Sequence, residues 1–155
     1  MDQFDPNFPG LFEGEISDIT VIDPVFQGNR VIDPNQEFRV KIEWRIFGTE
    51  VPTYLATADQ NWDVSAYAEG IGASPEVLLG NISVSKNNSV PCGGAFCFKY
   101  EATVVVTPGT LQAHVPNSAQ SGIYKIAAAV FLNSPVVGRD MIGFKEGPVI
   151  QAELL

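Results

Sequence analysis

The sequence predicts an all-β protein: a single antiparallel β-sandwich of about seven strands. Three observations favour this fold class. Apolar residues recur at every second position along several segments, as on the buried face of a strand. Fourteen glycines and eleven prolines punctuate the chain, which many short strands with turns between them require. The length of 155 residues fits one domain.

The clearest strand is the segment Phe38–Ile46, with the sequence F-R-V-K-I-E-W-R-I. Apolar and charged side chains alternate strictly along it. The apolar face comprises Phe38, Val40, Ile42, Trp44 and Ile46, and the charged face comprises Arg39, Lys41, Glu43 and Arg45. Such alternation is typical of an antiparallel sheet with one face on a core and the other in water.

Further strands follow the same rule less strictly. They are predicted over Trp62–Glu69, Phe96–Thr107, Tyr124–Leu132 and Ile150–Leu154, with a weaker candidate over Leu78–Val84. In the first long strand Ile16 is out of phase with Ile19 and Val21, which predicts a bulge. The segment Ser74–Gly80 also matches a single helical turn, with a serine cap, a proline at the first position and a terminal glycine.

One residue sharpens the fold prediction. In S-G-I-Y-K-I-A-A-A-V, Tyr124 follows a turn and opens an apolar strand. From Ile16 to Leu154 the pattern therefore resembles immunoglobulin-like and fibronectin-III-like β-sandwiches, in which a tyrosine occupies such a corner. The resemblance implies a fold and no particular function.

Composition and charge exclude several classes of function. Nine Lys and Arg residues oppose eighteen Asp and Glu residues, and the net charge of −9 disfavours binding to nucleic acids and anionic membranes. The N-terminus, M-D-Q-F-D-P-N-F-P-G, lacks the basic and apolar regions of a secretory signal. We therefore expect a protein that is cytoplasmic or exported without a classical signal peptide.

The two cysteines, Cys92 and Cys97, flank a Gly-Gly pair in V-P-C-G-G-A-F-C-F-K-Y. A zinc site requires four ligands, and the single histidine, His114, is predicted on a different strand. The spacing also differs from that of a thioredoxin-type redox motif. Two alternatives remain open: a disulfide that staples a tight turn, or a pair of free thiols.

No catalytic signature stands out. The chain lacks the nucleophile elbow G-x-S-x-G and the metalloprotease motif H-E-x-x-H. Several aspartates, namely Asp18, Asp23, Asp33, Asp59 and Asp63, lie near predicted strand ends, but no calcium-loop motif joins them. We therefore predict no enzymatic activity, no resident metal and no cofactor.

Two apolar features are candidates for an interface. An extended arm, residues 1–12, precedes the sandwich domain, residues 13–155, and carries Phe4, Phe8, Leu11 and Phe12. The strand near residue 124 is apolar on both faces, so Ile123, Ala127, Ala129 and Phe131 are predicted to point outward. Either the arm covers its own sandwich, or one of these surfaces docks on another protein.

These features predict a non-catalytic protein-binding or assembly module whose partner is another protein or a second copy of the chain, as in a homo-oligomer. A small-ligand or carbohydrate-binding domain is the alternative, because aromatic rings near strand ends can stack on sugars. The candidate stacking residues are Tyr54, Trp62 and Tyr67.

Overall fold

Residues 3–23, 30–135 and 140–154 of the computed structural model are described here, and they form nine strands and one short helix. The strands are β1 (Glu13–Ile22), β2 (Val31–Ile32), β3 (Phe38–Phe47), β4 (Asn61–Gly70), β5 (Val77–Ser85), β6 (Val90–Pro91), β7 (Cys97–Val106), β8 (Ile123–Leu132) and β9 (Met141–Ala152). The helix α1 (Val51–Thr57) connects β3 to β4.

The strands form two sheets that enclose the core. The first sheet has the order β1-β3-β7-β6, and the second has the order β2-β9-β8-β4-β5. Every pairing is antiparallel except that of β2 with β9. The predicted all-β sandwich is thus confirmed. Its seven long strands are the predicted seven, whereas β2 and β6 are two-residue additions.

A cluster of aromatic rings joins the two sheets at the centre of the core. Trp44 of β3 stacks on Tyr100 of β7, with ring centroids 5.5 Å apart. From the opposite sheet, Trp62 of β4 meets both rings edge-on, at 5.7 Å from Trp44 and 5.4 Å from Tyr100. The Tyr100 hydroxyl donates a hydrogen bond to the Lys86 carbonyl (2.6 Å), and burial raises the pKa of this tyrosine.

The N-terminal arm closes one side of the sandwich. The ring of Phe4 lies between Gly14 of β1 and Gly143 of β9, so it contacts one strand from each sheet. Backbone hydrogen bonds fix the arm on both sides: the Phe4 N–H donates to Gly14 (2.9 Å), and Asp5 exchanges two bonds with Ile142 (2.9 and 3.0 Å). The arm was expected either to cover its own sandwich or to dock on another protein. Phe4 packs on its own sandwich.

The helix prediction was wrong in position. The segment Ser74–Gly80 contains no helix: β5 begins at Val77, and the residues before it are irregular. The helix lies instead at Val51–Thr57, with a proline in its first turn. Its first turn is anchored by the buried side chains of Val51 and Tyr54. Pairing with β4 outweighs the local helix signal at residue 77, because tertiary packing overrides weak propensity.

Three details of the predicted strands also change. Phe96, the first residue of the predicted strand Phe96–Thr107, precedes β7 and is 47% exposed, whereas Phe98 is partly buried against the core. His114 lies in the irregular connection between β7 and β8 rather than on a strand. Leu154 falls beyond the end of β9 and is exposed, while β9 begins at Met141, well before the predicted Ile150.

Two finer predictions agree with the structure. The register of β1 against β3 shifts between Ile16 and Asp18, as expected of a bulge. Tyr124 is fully buried at the start of β8, where its hydroxyl donates to the Gln112 carbonyl (2.9 Å) and accepts from the Gln112 N–H (3.3 Å). This tyrosine therefore ties the connection between β7 and β8 to the sandwich.

Replacing Gly143 with alanine should destabilise the protein by about 1 to 3 kcal/mol, because the new methyl group would overlap the Phe4 ring. Gly143 has no left-handed φ, so the backbone itself accepts alanine. Chemical denaturation of both proteins measures the difference. The same substitution in a Phe4→Ala background should cost much less, and an equal cost in both backgrounds would contradict this packing.

Tyr124→Phe should lower the free energy of unfolding by about 1 to 2 kcal/mol, because the change leaves the polar backbone of Gln112 without its buried partner. Tyr67→Phe is the matched control, since no hydrogen bond to that hydroxyl exists among the described residues. Thermal and urea unfolding compare the two variants. Equal stability of both would show that the Tyr124 hydroxyl does not hold the connection.

Candidate interaction surface

The four apolar side chains of the arm separate into two groups. Phe4 and Phe12 are buried, and the ring of Phe12 rests on Tyr54 with centroids 4.5 Å apart. Both rings belong to the core, so they are removed from the predicted interface. Phe8 and Leu11 remain exposed, at 56% and 50%.

The outer face of β8 is less uniform than the sequence predicts. Ala127 is fully buried although it points away from the core; it pairs with Tyr67 of β4 and with Glu146 of β9. It is therefore unavailable to a partner. Ala129 and Phe131 are partly exposed, and so is Ile123 near the far end of the strand.

Two residues of β9, which sequence reasoning missed, complete an apolar surface on this face. Ile142 is 47% exposed and pairs with Phe131; Phe144 is 42% exposed and pairs with Ala129. Directly opposed residues on paired strands share a face, so these four side chains are contiguous. We call Ala129, Phe131, Ile142 and Phe144 the β8–β9 patch. The sequence signal for these two residues was the segment M-I-G-F, in which Ile142 and Phe144 occupy alternate positions and therefore share a face.

A polar groove borders the patch on the side of β4 and β5. Asp63 and Ser65 of β4 pair with Phe131 and Ala129 of the patch. On the other side they pair with Ser83 and Asn81 of β5. The four polar residues line a shallow depression of about 470 Å³, which we call the β4–β5 groove.

The candidate residues for sugar stacking do not form a common surface. Trp62 has no exposed area, and Tyr54 is buried with its hydroxyl donating to the Leu132 carbonyl (3.1 Å). Burial, with the charges of Asp140 and Asp59, raises the pKa of Tyr54. Tyr67, on the outer face of β4, is the only one of the three that reaches solvent.

The outer face of the first sheet is organised differently. Its basic side chains form ion pairs with neighbouring carboxylates: Arg45 with Glu15 (2.6 Å), Lys41 with Glu43 (3.2 Å) and Lys99 with Glu43 (3.7 Å). The hydrogen bond to Glu43 contributes most to the raised pKa of Lys41. A face of mixed, mutually paired charges is typical of a solvated sheet.

The two cysteines are joined in a disulfide, with their Cα atoms 5.1 Å apart. Gly93 and Gly94 between them have φ angles of 103° and 128°, a region that disfavours side chains, so both glycines serve the turn. His114 is exposed, and its Nδ1 lies 3.2 Å from the Gln120 carbonyl oxygen. The structure therefore does not bring Cys97 and His114 together as a thiol–imidazole pair.

Across residues 3–23, 30–135 and 140–154, no cluster of three or more His, Cys, Asp or Glu side chains is arranged to hold a metal ion. Within the same ranges no helix has the length and apolar character to cross a membrane.

Comparison with known proteins provides no family for this chain. No family model and no curated protein matches it. Among solved structures, it is similar to the CARDB domain of a Pyrococcus furiosus protein, determined in complex with di-metal ions. The identity is 17% and the TM-score 0.39, over 89% of this chain and 94% of that chain. At this TM-score the likeness carries no weight, and the fold rests on the strand pairings.

Because Cys92 and Cys97 are joined, titration of the purified protein under denaturing conditions should detect no free thiol before reduction and two after it. Replacing both cysteines with serine should cost about 2 kcal/mol or less, since the closed loop is short. Urea denaturation of the double variant against the oxidised protein tests this expectation. Two reactive thiols in the unreduced protein would instead favour the alternative of free cysteines.

Proposed function

We propose that this protein is a non-catalytic binding module that contacts a protein partner through the β8–β9 patch. The observation that carries the proposal is the exposure of Ile142 and Phe144, at 47% and 42%, in the first part of β9, where the strand is regularly paired with β8. Their inward neighbours Met141 and Gly143 face the core, so alternation alone would place polar residues at positions 142 and 144.

The fold itself does not require apolar side chains at these positions. On the first sheet the corresponding outward positions of β3 carry Arg39, Lys41, Glu43 and Arg45. Ile142 and Phe144 would bury further apolar area only when another molecule covers them. Contiguous exposed apolar side chains are a common mark of interaction sites.

Strand pairing holds the backbone of the patch, which favours binding. Nine residues of β8 pair with β9 and nine with β4, so Ala129 and Phe131 are held on both sides, and Ile142 lies between β8 and the bridge to Asp5. A pre-formed surface loses little conformational entropy when a partner binds. The patch has only four residues, a size that fits a small or transient interface.

The alternative of a carbohydrate-binding domain has less support. Stacking on a sugar needs exposed rings, whereas Trp62 and Tyr54 are buried and Tyr67 reaches solvent alone. Self-association through the patch also has less support than a different partner. A two-fold contact between copies, centred on the patch, would place the acidic residues that flank it, Asp5 and Asp63, opposite acidic residues of the other copy.

A phage-displayed peptide library selected against the wild-type protein tests the proposal. Selected peptides should lose at least about tenfold in affinity for an Ile142→Ser, Phe144→Ser double variant, because the substitutions remove the apolar contact area. Val105→Ser is the control, since Val105 is a comparably exposed apolar residue on the first sheet (45%).

Both variants should keep the unfolding temperature of the wild type within a few degrees, because none of the three side chains is buried. Light scattering on each protein reports its oligomeric state. Failure to select any peptide whose binding depends on residues 142 and 144 would overturn the proposal. A dimer that dissociates in the double variant would instead identify a second copy as the partner.

A further inference from the structure

One row of side chains crosses the outer face of the second sheet beside the patch. Strand pairing places them in the order Ser83, Asp63, Phe131, Ile142 and Asp5. Neighbouring strands lie about 4.8 Å apart, so the backbones of Asp63 and Asp5 are about 14 Å apart, with the apolar pair between them. The apolar contact surface thus lies between two negative charges.

Neither carboxylate has a cationic partner within the described ranges. No ion pair or hydrogen bond to the side chain of Asp63 or Asp5 occurs there. Lys125, on the same face of β8, is engaged with Glu146 at 3.0 Å. On the first sheet, by contrast, the carboxylates of Glu15 and Glu43 are paired.

The β4–β5 groove supplies further acceptors around Asp63. Ser65, Ser83 and Asn81 line the same depression, and none of these side chains hydrogen-bonds elsewhere in the described part of the chain. A carboxylate accepts two parallel bonds from a guanidinium group, and the hydroxyl and amide oxygens can accept its remaining donors. The groove therefore offers more acceptors than a lone surface aspartate.

The spacing matches an extended partner. Alternate residues of a strand point to the same side about 7 Å apart, which is the distance from Asp63 to the midpoint of Phe131 and Ile142 across the sheet. A segment lying across the strands could therefore place an apolar side chain on this pair and a basic one in the groove two positions away.

We infer that the partner is an extended segment in which an arginine or lysine stands two positions from an apolar residue, so that both point to the same side, with the basic side chain bound by Asp63 in the β4–β5 groove. This inference rests on the proposed function and adds the chemistry of the partner. A second copy of the chain fits less well, since Lys41, Arg45 and Lys99 of the first sheet are already ion-paired.

Two fluorescein-labelled eight-residue peptides test the inference by fluorescence anisotropy against the full chain. One has the sequence R-S-L-S-R-S-L-S, which places arginine and leucine two positions apart on the same side; in the other, citrulline replaces arginine, which keeps the shape and removes the charge. The arginine peptide should bind about fivefold more tightly at low salt, and Asp63→Asn should abolish most of that preference. Glu101→Gln, on the first sheet, controls for the change in net charge.

The possible outcomes separate the two proposals. Equal binding of both peptides, or equal effects of Asp63→Asn and Glu101→Gln, would overturn the inference of a basic partner. Such a result would indicate only non-specific electrostatic attraction. The proposed binding function would still stand if both peptides bound more weakly to the Ile142→Ser, Phe144→Ser variant. If neither peptide bound in a way that depends on the patch, this inference would fail, and the phage selection would decide the proposed function separately.

Discussion

The packing of aromatic rings between the two sheets is the interaction on which the rest of the structure depends. Trp44 and Tyr100 from one sheet meet Trp62 from the other, and Phe4 extends the cluster with an edge-on contact 6.1 Å from Trp62. Buried rings contribute the largest apolar areas available to a core of this size. Within the described residues the indole N–H groups of both tryptophans lack an acceptor, a cost that ring burial must offset.

This interior packing also builds the outer surface. Because Phe4 enters the core between Gly14 and Gly143, the next residue, Asp5, pairs with Ile142 on the edge of β9. Adjacent residues of an extended chain point to opposite sides, so burying Phe4 turns Asp5 outward beside the β8–β9 patch. The arm therefore contributes to the core with one residue and to the candidate interface with the next.

The two outer faces then differ in how their charges are satisfied. On the first sheet Lys41, Arg45 and Lys99 each form an ion pair with a carboxylate of a neighbouring strand. On the second sheet apolar side chains lie between the carboxylates of Asp63 and Asp5, for which the described part of the chain offers no ion-pair partner. This asymmetry distinguishes a solvated face from one suited to a partner of complementary chemistry.

The sequence by itself determined the elements that depend on local periodicity. Strict alternation identified β3, the phase change at Ile16 identified the bulge, and the turn before Tyr124 identified a buried corner. Five of the eight residues predicted for the interface are at least partly exposed, whereas Phe4, Phe12 and Ala127 are buried.

Only the tertiary structure decided which strands are neighbours. The strand order in turn determines which side chains lie together on a face. It selected β5 over a helix at Val77, and it brought Ile142 beside Phe131 and Asp5. Alternation along one strand shows which side chains share a face, but it carries no information about the strand that lies alongside. The candidate site spans four strands and the arm, so its composition depends on contacts between residues far apart in the chain.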